Sequence, residues 1–175
     1  MAMEERRMKK INILTLAAGI AFMPPIWAVA APFIGVSVGA VALICAGLYV
    51  ANGNRRQDAF KVCAGFLLGD LWALTAVWVM ETLQWNPYAE LYLTLFVMGG
   101  LAVIIGETFA KRIFTPAWLC GWAIGLTIMG PMKMEEIGTP PIQIGAAMVV
   151  GVLYVGVGVD AFQRLLIRKL RDWKR

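Results

Sequence analysis

The chain has 175 residues, of which 60% are apolar and 15% charged, whereas an ordinary soluble domain carries about 45–50% and about 25%. A water-soluble domain of this length could not hide so much apolar surface, but a bilayer accepts it on every outward face. Sixteen Lys and Arg against eleven Asp and Glu leave a net charge of +5, and there is no His, which excludes His-dependent zinc, haem and triad chemistry.

Taken in order, the apolar runs predict an all-α integral membrane protein of six transmembrane helices. Span 1 runs from about Ile11 to Ala30, span 2 from Pro32 to Val50, and span 3 from Ala59 to Leu83. Span 4 covers Tyr88 to Ala110, span 5 Phe114 to Gly130, and span 6 Pro141 to Phe162, with 163–175 a basic tail that prolongs span 6 as a surface helix. The start of the chain imitates a secretory signal: Arg6-Arg7 and Lys9-Lys10, an apolar stretch, then Ala28-Val29-Ala30. Pro24-Pro25 and Trp27 stand against cleavage, so span 1 is expected to be retained.

The bases alternate with the spans. Arg6, Arg7, Lys9 and Lys10 precede span 1; Arg55, Arg56 and Lys61 lie between spans 2 and 3; Lys111 and Arg112 between spans 4 and 5. Arg164, Arg168, Lys169, Arg171, Lys174 and Arg175 follow span 6, and Lys133 alone belongs to the opposite set of loops. Short loops rich in Lys and Arg stay in the cytoplasm, which puts both termini there. These short basic segments form no arm with interleaved aromatics, so nucleic acid is not an expected partner. Trp78, Trp85, Tyr88 and Tyr92 gather around the outer loop between spans 3 and 4, where amphipathic rings prefer the headgroup zone.

An internal repeat is legible. Span 2 carries Gly35-x-x-x-Gly39 and span 5 carries Gly121-x-x-x-Gly125; span 3 carries Gly69-x-x-Trp72 and span 6 carries Gly151-x-x-Tyr154. Two three-helix halves must enter the bilayer from opposite sides, the inverted arrangement of many transporters and channels. Gly35, Gly39, Gly65, Gly69, Gly121 and Gly125 mark faces for close helix packing within or between protomers, and a homo-oligomer is expected. Pro24-Pro25 and Gly99-Gly100 are read as helix breaks in the first helices of the two halves, either lining a cavity or acting as plain kinks.

Three acids lie within the spans. Glu107 and Asp160 each have a base four residues on, Lys111 and Arg164, and need only an i,i+4 ion pair to explain them. Asp70 falls mid-span with no base within helical reach, and a charged Asp there costs about 2.5–3.5 kcal/mol. It is expected to face the interior, pair with the indole of Trp122 or the phenol of Tyr154, or be protonated. Glu81, eleven residues on, shares its helix face, so Asp70, Trp72, Glu81, Trp122 and Tyr154 make up a candidate solute pathway, with a structural Asp70 that locks packing as the other reading. Cys45, Cys63 and Cys120 lie in three different spans without CxxC spacing and are expected to be buried hydrophobes. No metal site or cofactor is implied.

Gly69-x-x-Trp72, the Gly-rich second span and Pro116-Ala117-Trp118 at the start of span 5 resemble a family of small bacterial inner-membrane proteins, domain of unknown function 1097. The resemblance implies the six-helix fold and a multi-pass place in the bacterial inner membrane; it transfers no activity and no site residue. Two functions compete. One is a small-solute channel or transporter, the acid and aromatics leaning toward a small cation, amine or amide. The other is a non-catalytic membrane subunit, assembly factor or anchor that works through helix contacts. An enzyme is not expected, because no nucleophile stands beside a base and the loops are short.

Overall fold

The computed structural model describes residues 2–172; Trp173, Lys174 and Arg175 of the basic tail lie outside the described residues. Six helical rods follow one another: α1 (Ala2–Ala30), α2 (Val41–Ala51), α3 (Ala59–Leu83), α4 (Pro87–Thr108), α5 (Thr115–Met129), and a last rod in which α6 (Pro140–Val150), a π-helical segment (Gly151–Val157) and α7 (Gly158–Asp172) run on without interruption. No strand occurs among the described residues.

Four stretches are long and apolar enough to cross a membrane: Glu5–Ile34, Arg56–Leu83, Pro87–Thr108 and Pro140–Leu170. The other two apolar helices are short. At 1.5 Å per residue α2 reaches about 16 Å and α5 about 22 Å, against a hydrocarbon core of roughly 30 Å. Apolar side chains such as Phe22, Val29, Phe96 and Ile104 point outward from α1 and α4, as they do where the surrounding medium is lipid.

Local chemistry sets the helix ends. The Asn86 carboxamide accepts from the amides of Tyr88 (3.0 Å) and Ala89 (3.4 Å), and Pro87 opens α4 where a missing N–H costs nothing. Prolines also open α5 and α6. The expected spans 3, 4 and 5 match α3, α4 and α5 to within two residues.

Span 2 departs from expectation. Residues Ala31–Ile34 make a 3-10 turn, Gly35 turns left-handed at φ +78°, and the α-helix begins only at Val41. Hydropathy sees one apolar run there, but Pro32 and the left-handed Gly35 divide it. The expected breaks elsewhere are absent. Helix α1 continues through Pro24 and Pro25 to Ala30, and α4 continues through Gly99 and Gly100. Glycine keeps both its backbone hydrogen-bonding groups, so a Gly pair weakens a helix without interrupting it.

The tightest packing joins α3 and α5, which run parallel. A methyl on Gly65 would stand 2.6 Å from the Phe114 carbonyl oxygen; one on Gly121 would stand 2.5 Å from the Phe66 carbonyl oxygen; Gly69 lies against Trp118 and Trp122, and Gly125 against Ala73. A second parallel pair joins α2 to the π segment, where Gly151 lies on the main chain of Ala42 and Gly156 on the Tyr49 ring. Helix α4 runs antiparallel to α5, with Gly106 at Thr115 and Gly99 at Trp122, and α1 lies against α7, with Gly19 at Val159. Small residues let backbones approach in this way.

Three cross-links gather the basic segments at one end of the bundle. Gln163 Nε2 donates to the Asn12 carbonyl (3.0 Å), Arg56 Nε to Asp160 Oδ2 (3.0 Å), and the Phe114 amide to the Lys61 carbonyl (3.3 Å). Glu81, Trp85 and Lys133 meet at the other end, around an open cavity.

Candidate functional site around Asp70

Helix α3 carries Asp70 at its middle and buries it, 5% exposed, against α5 and α6. Both facing helices present glycine. Asp70 Oδ1 lies 3.5 Å from the position a Gly125 Cβ would take, and Oδ2 lies 3.7 Å from that of Gly145. The nearest other atoms from neighbouring side chains at these two positions are aliphatic: the Ala73 methyl and Met129 Cε near Gly125, and Leu67 Cδ2 near Gly145. Oδ1 has no hydrogen-bond partner among the described residues.

Neither expected partner reaches the carboxylate. The Trp122 ring is buried and its edge lies at Gly99, while its Nε1 is itself without a partner. Packing rather than hydrogen bonding holds this indole: Gly99 clears space at its ring edge, while Gly69 lets α3 close on the Trp122 main chain. Tyr154 is 37% exposed on the π segment. Nine residues separate it from Gly145, about 13 Å along the helix. The sequence pairing failed because equal depth in two spans says nothing about which face each residue occupies.

Trp72 and Glu81 take other parts. Trp72 Nε1 donates to the Met98 carbonyl of α4 (3.1 Å), and its ring meets Trp118 edge-on at 5.4 Å. Glu81 is exposed at the end of α3, where its Oε2 accepts from the Met134 amide (3.1 Å). It borders the open cavity of about 1120 Å³ together with Glu90, Glu135 and Lys133. The cavity's innermost lining residues on α3 and α5 are Val77 and Leu126. Leu126 directly follows Gly125, so the cavity ends one residue from the glycine that faces Asp70, and the Ala73–Gly125 contact and Met129 lie in between.

Of the glycines expected to pack helices, Gly65, Gly69, Gly121 and Gly125 do so in the α3–α5 seam. Gly35 is a left-handed turn residue with open space around it, and Gly39 packs on Ala31 and accepts from Trp27 Nε1 (3.0 Å). Both lie before α2 begins, which is why they share no helix face. The Gly99–Gly100 pair also splits: Gly99 faces Trp122, and Gly100 faces open space.

At the basic end Asp160, also 5% exposed, accepts from Arg56 on one oxygen and Arg164 on the other, each at 3.0 Å. The Arg164 partner follows from i,i+4 spacing; Arg56, 104 residues away, does not. Glu107 takes Thr115 Oγ1 (2.8 Å) rather than the expected Lys111. Fully buried Tyr49, packed on Gly156, has a phenol without a partner among the described residues. No sequence signal marks it. The three cysteines are free.

A family model described as "Protein of unknown function (DUF1097)" matches residues 17–163. That is most of the chain, which therefore belongs to this family, as the Gly and Trp spacing anticipated. No curated protein and no solved structure matches.

Proposed function

We propose that this member of the DUF1097 family is a channel or transporter of a lipid bilayer that takes a small cation, amine or amide past Asp70. The observation that carries the reading is the buried carboxylate with an unpartnered oxygen, set among glycines one step below an open, carboxylate-bordered cavity. An ionisable group held in an apolar interior is costly to keep for packing alone, since a hydrophobic residue would fill the same place.

The helix pairing supports an inverted repeat. Exchanging the two halves turns the parallel α3–α5 pair into the parallel pair of the last rod with α2, and Gly69 and Gly151 do the same work on their partners' backbones. The register for the middle helices is then set by Ala42 to Tyr49 of α2 against the Trp118 to Gly125 face of α5, not by Gly35 and Gly39. Helices α2 and α5, both too short to span, occupy corresponding positions, the usual pointer to a site between halves. The gathering of bases at one end supports cytoplasmic termini, and a multi-pass place in a bacterial inner membrane as a homo-oligomer is part of the same proposal.

Flux measurements in liposomes test the reading. Native protein should move at least one solute of a panel of amines, amides and small cations, and Asp70→Asn should abolish that flux with the fold retained. No flux across the panel, together with a stably co-purifying partner chain, would favour the alternative of a non-catalytic membrane subunit.

A further inference from the structure

We infer that Asp70 is a proton-binding site, a carboxyl that takes up and releases H⁺, rather than a seat for a metal ion or an organic ammonium group. The inference deepens the transport reading and rests on it for its physiological purpose, although the state of the carboxyl is measurable without transport.

The surroundings discriminate among three ligands. A metal cation stripped of water needs several oxygen donors, and the side-chain atoms nearest the Gly125 and Gly145 positions are an Asp70 oxygen in each case and aliphatic carbons of Ala73, Met129 and Leu67. No group of three His, Cys, Asp or Glu able to hold a metal occurs among the described residues. An ammonium needs room beside the carboxylate, yet the spaces left by Gly125 and Gly145 are each bounded by a side chain within 3.3 Å of a single added methyl. A proton needs neither donors nor room. Protonation also removes the cost of holding an unpaired anion away from water.

Among the described residues no counter-charge competes for that role. Helix α6 carries no titratable side chain and α5 only Cys120; on α2 Cys45 and Tyr49 pack against Gly151 and Gly156, and Tyr154 of the π segment is partly exposed. On α4, Tyr88, Glu90 and Tyr92 lie in the first two turns and Glu107 in the last; Arg56 and Asp58 precede α3, and Glu135 and Glu136 follow α5 at the far end. On α3 itself, Lys61 and Glu81 lie at the two ends and Cys63 two turns before Asp70. In loading, an O–H bond of a hydronium that reaches the carboxylate breaks, its electron pair stays on water, and a carboxylate lone pair forms the new O–H bond; release is the reverse. With no room for an ammonium beside the carboxylate, the solute is not seated on Asp70 itself, and the site points to an amide or amine moved in exchange or together with H⁺.

Infrared spectra of the full chain in liposomes, with N,N′-dicyclohexylcarbodiimide labelling and peptide mapping, test this. A carboxylic-acid C=O band that shifts in D₂O, is lost in Asp70→Asn and gives way to carboxylate on raising the pH is expected, with the carbodiimide adduct mapping to Asp70 and its yield falling as the pH rises. The mapping uses native protein, so it stands even where Asp70→Asn fails to fold. Gly145→Ala, whose methyl would stand 3.7 Å from Oδ2, should keep the acid band and slow its exchange. Carboxylate bands alone at every pH, or an adduct elsewhere, would overturn the inference. An acid band with no flux of any solute would sink the transport reading alone; flux abolished in Asp70→Asn with Asp70 ionised throughout would sink the proton site alone.

Discussion

A methyl group on Gly69 of α3 would stand 2.5 Å from the Trp122 amide nitrogen of α5. Two backbones this close depend on the absence of one side chain. Overpacking of this kind costs about 1–3 kcal/mol. Gly69→Ala should therefore lower the thermal midpoint in detergent, while Gly100→Ala, which meets open space, should leave it unchanged or raise it slightly. Equal midpoints for the two variants would refute the seam as the anchor of the fold.

Trp72 and Trp122 are both indoles at the α3–α4–α5 junction, but only Trp72 spends its N–H on a carbonyl, that of Met98. Replacing it by Phe should cost about 0.5–1.5 kcal/mol for the bond in addition to the lost ring area. Trp122→Phe loses ring area alone. Denaturation of the two variants checks the order, and a larger loss for Trp122→Phe would contradict it.

Asp160 is the buried member of its triad; Arg56 and Arg164 are half exposed or more. Losing one Arg leaves the other in place, so Arg56→Gln and Arg164→Gln should each cost roughly 1 kcal/mol or less, as water resolvates exposed partners. The double variant strands a buried carboxylate and should cost about 3–5 kcal/mol. A double-mutant cycle measures the excess. Simple additivity would mean that Asp160 reaches water on its own.

Two side chains tie down the loop before α2: Trp27 on the Gly39 carbonyl and Gln143. The Ser37 amide and hydroxyl both donate to Gln143 Oε1 at 2.9 and 2.8 Å. Gln143→Ala should raise amide hydrogen exchange over residues 31–40 with little change in α3.

The apolar helices were legible because hydropathy depends on composition alone, although two of the six, α2 and α5, are too short to cross a membrane. What hydropathy could not register is backbone shape within an apolar run. Span 2 is uniformly hydrophobic, yet Pro32 and Gly35 turn half of it into an irregular link. The place of Asp70 at the middle of a helix was legible from its distance to both ends of the apolar run, but its neighbours were not, since Trp122 and Tyr154 share its level on paper and face elsewhere. Gly125 and Gly145, the residues that do face it, carry no side chain to advertise the contact.

The seven π-helical residues from Gly151 to Val157 have a consequence for how the last rod tolerates change. Their wider turns wind through a smaller angle than an α-helix of equal length, so the faces before and after them are out of step, one meeting Leu67 at Gly145 and the other Gly19 at Val159. Rewinding the same seven residues as an α-helix would add angle and swing Asp160 away from Arg56, whereas excising a single residue such as Leu153 would remove about as much angle as ordinary winding adds and leave the two faces nearly in step. The segment acts as a phase corrector, holding one residue more than an α-helix would need to join the same two faces.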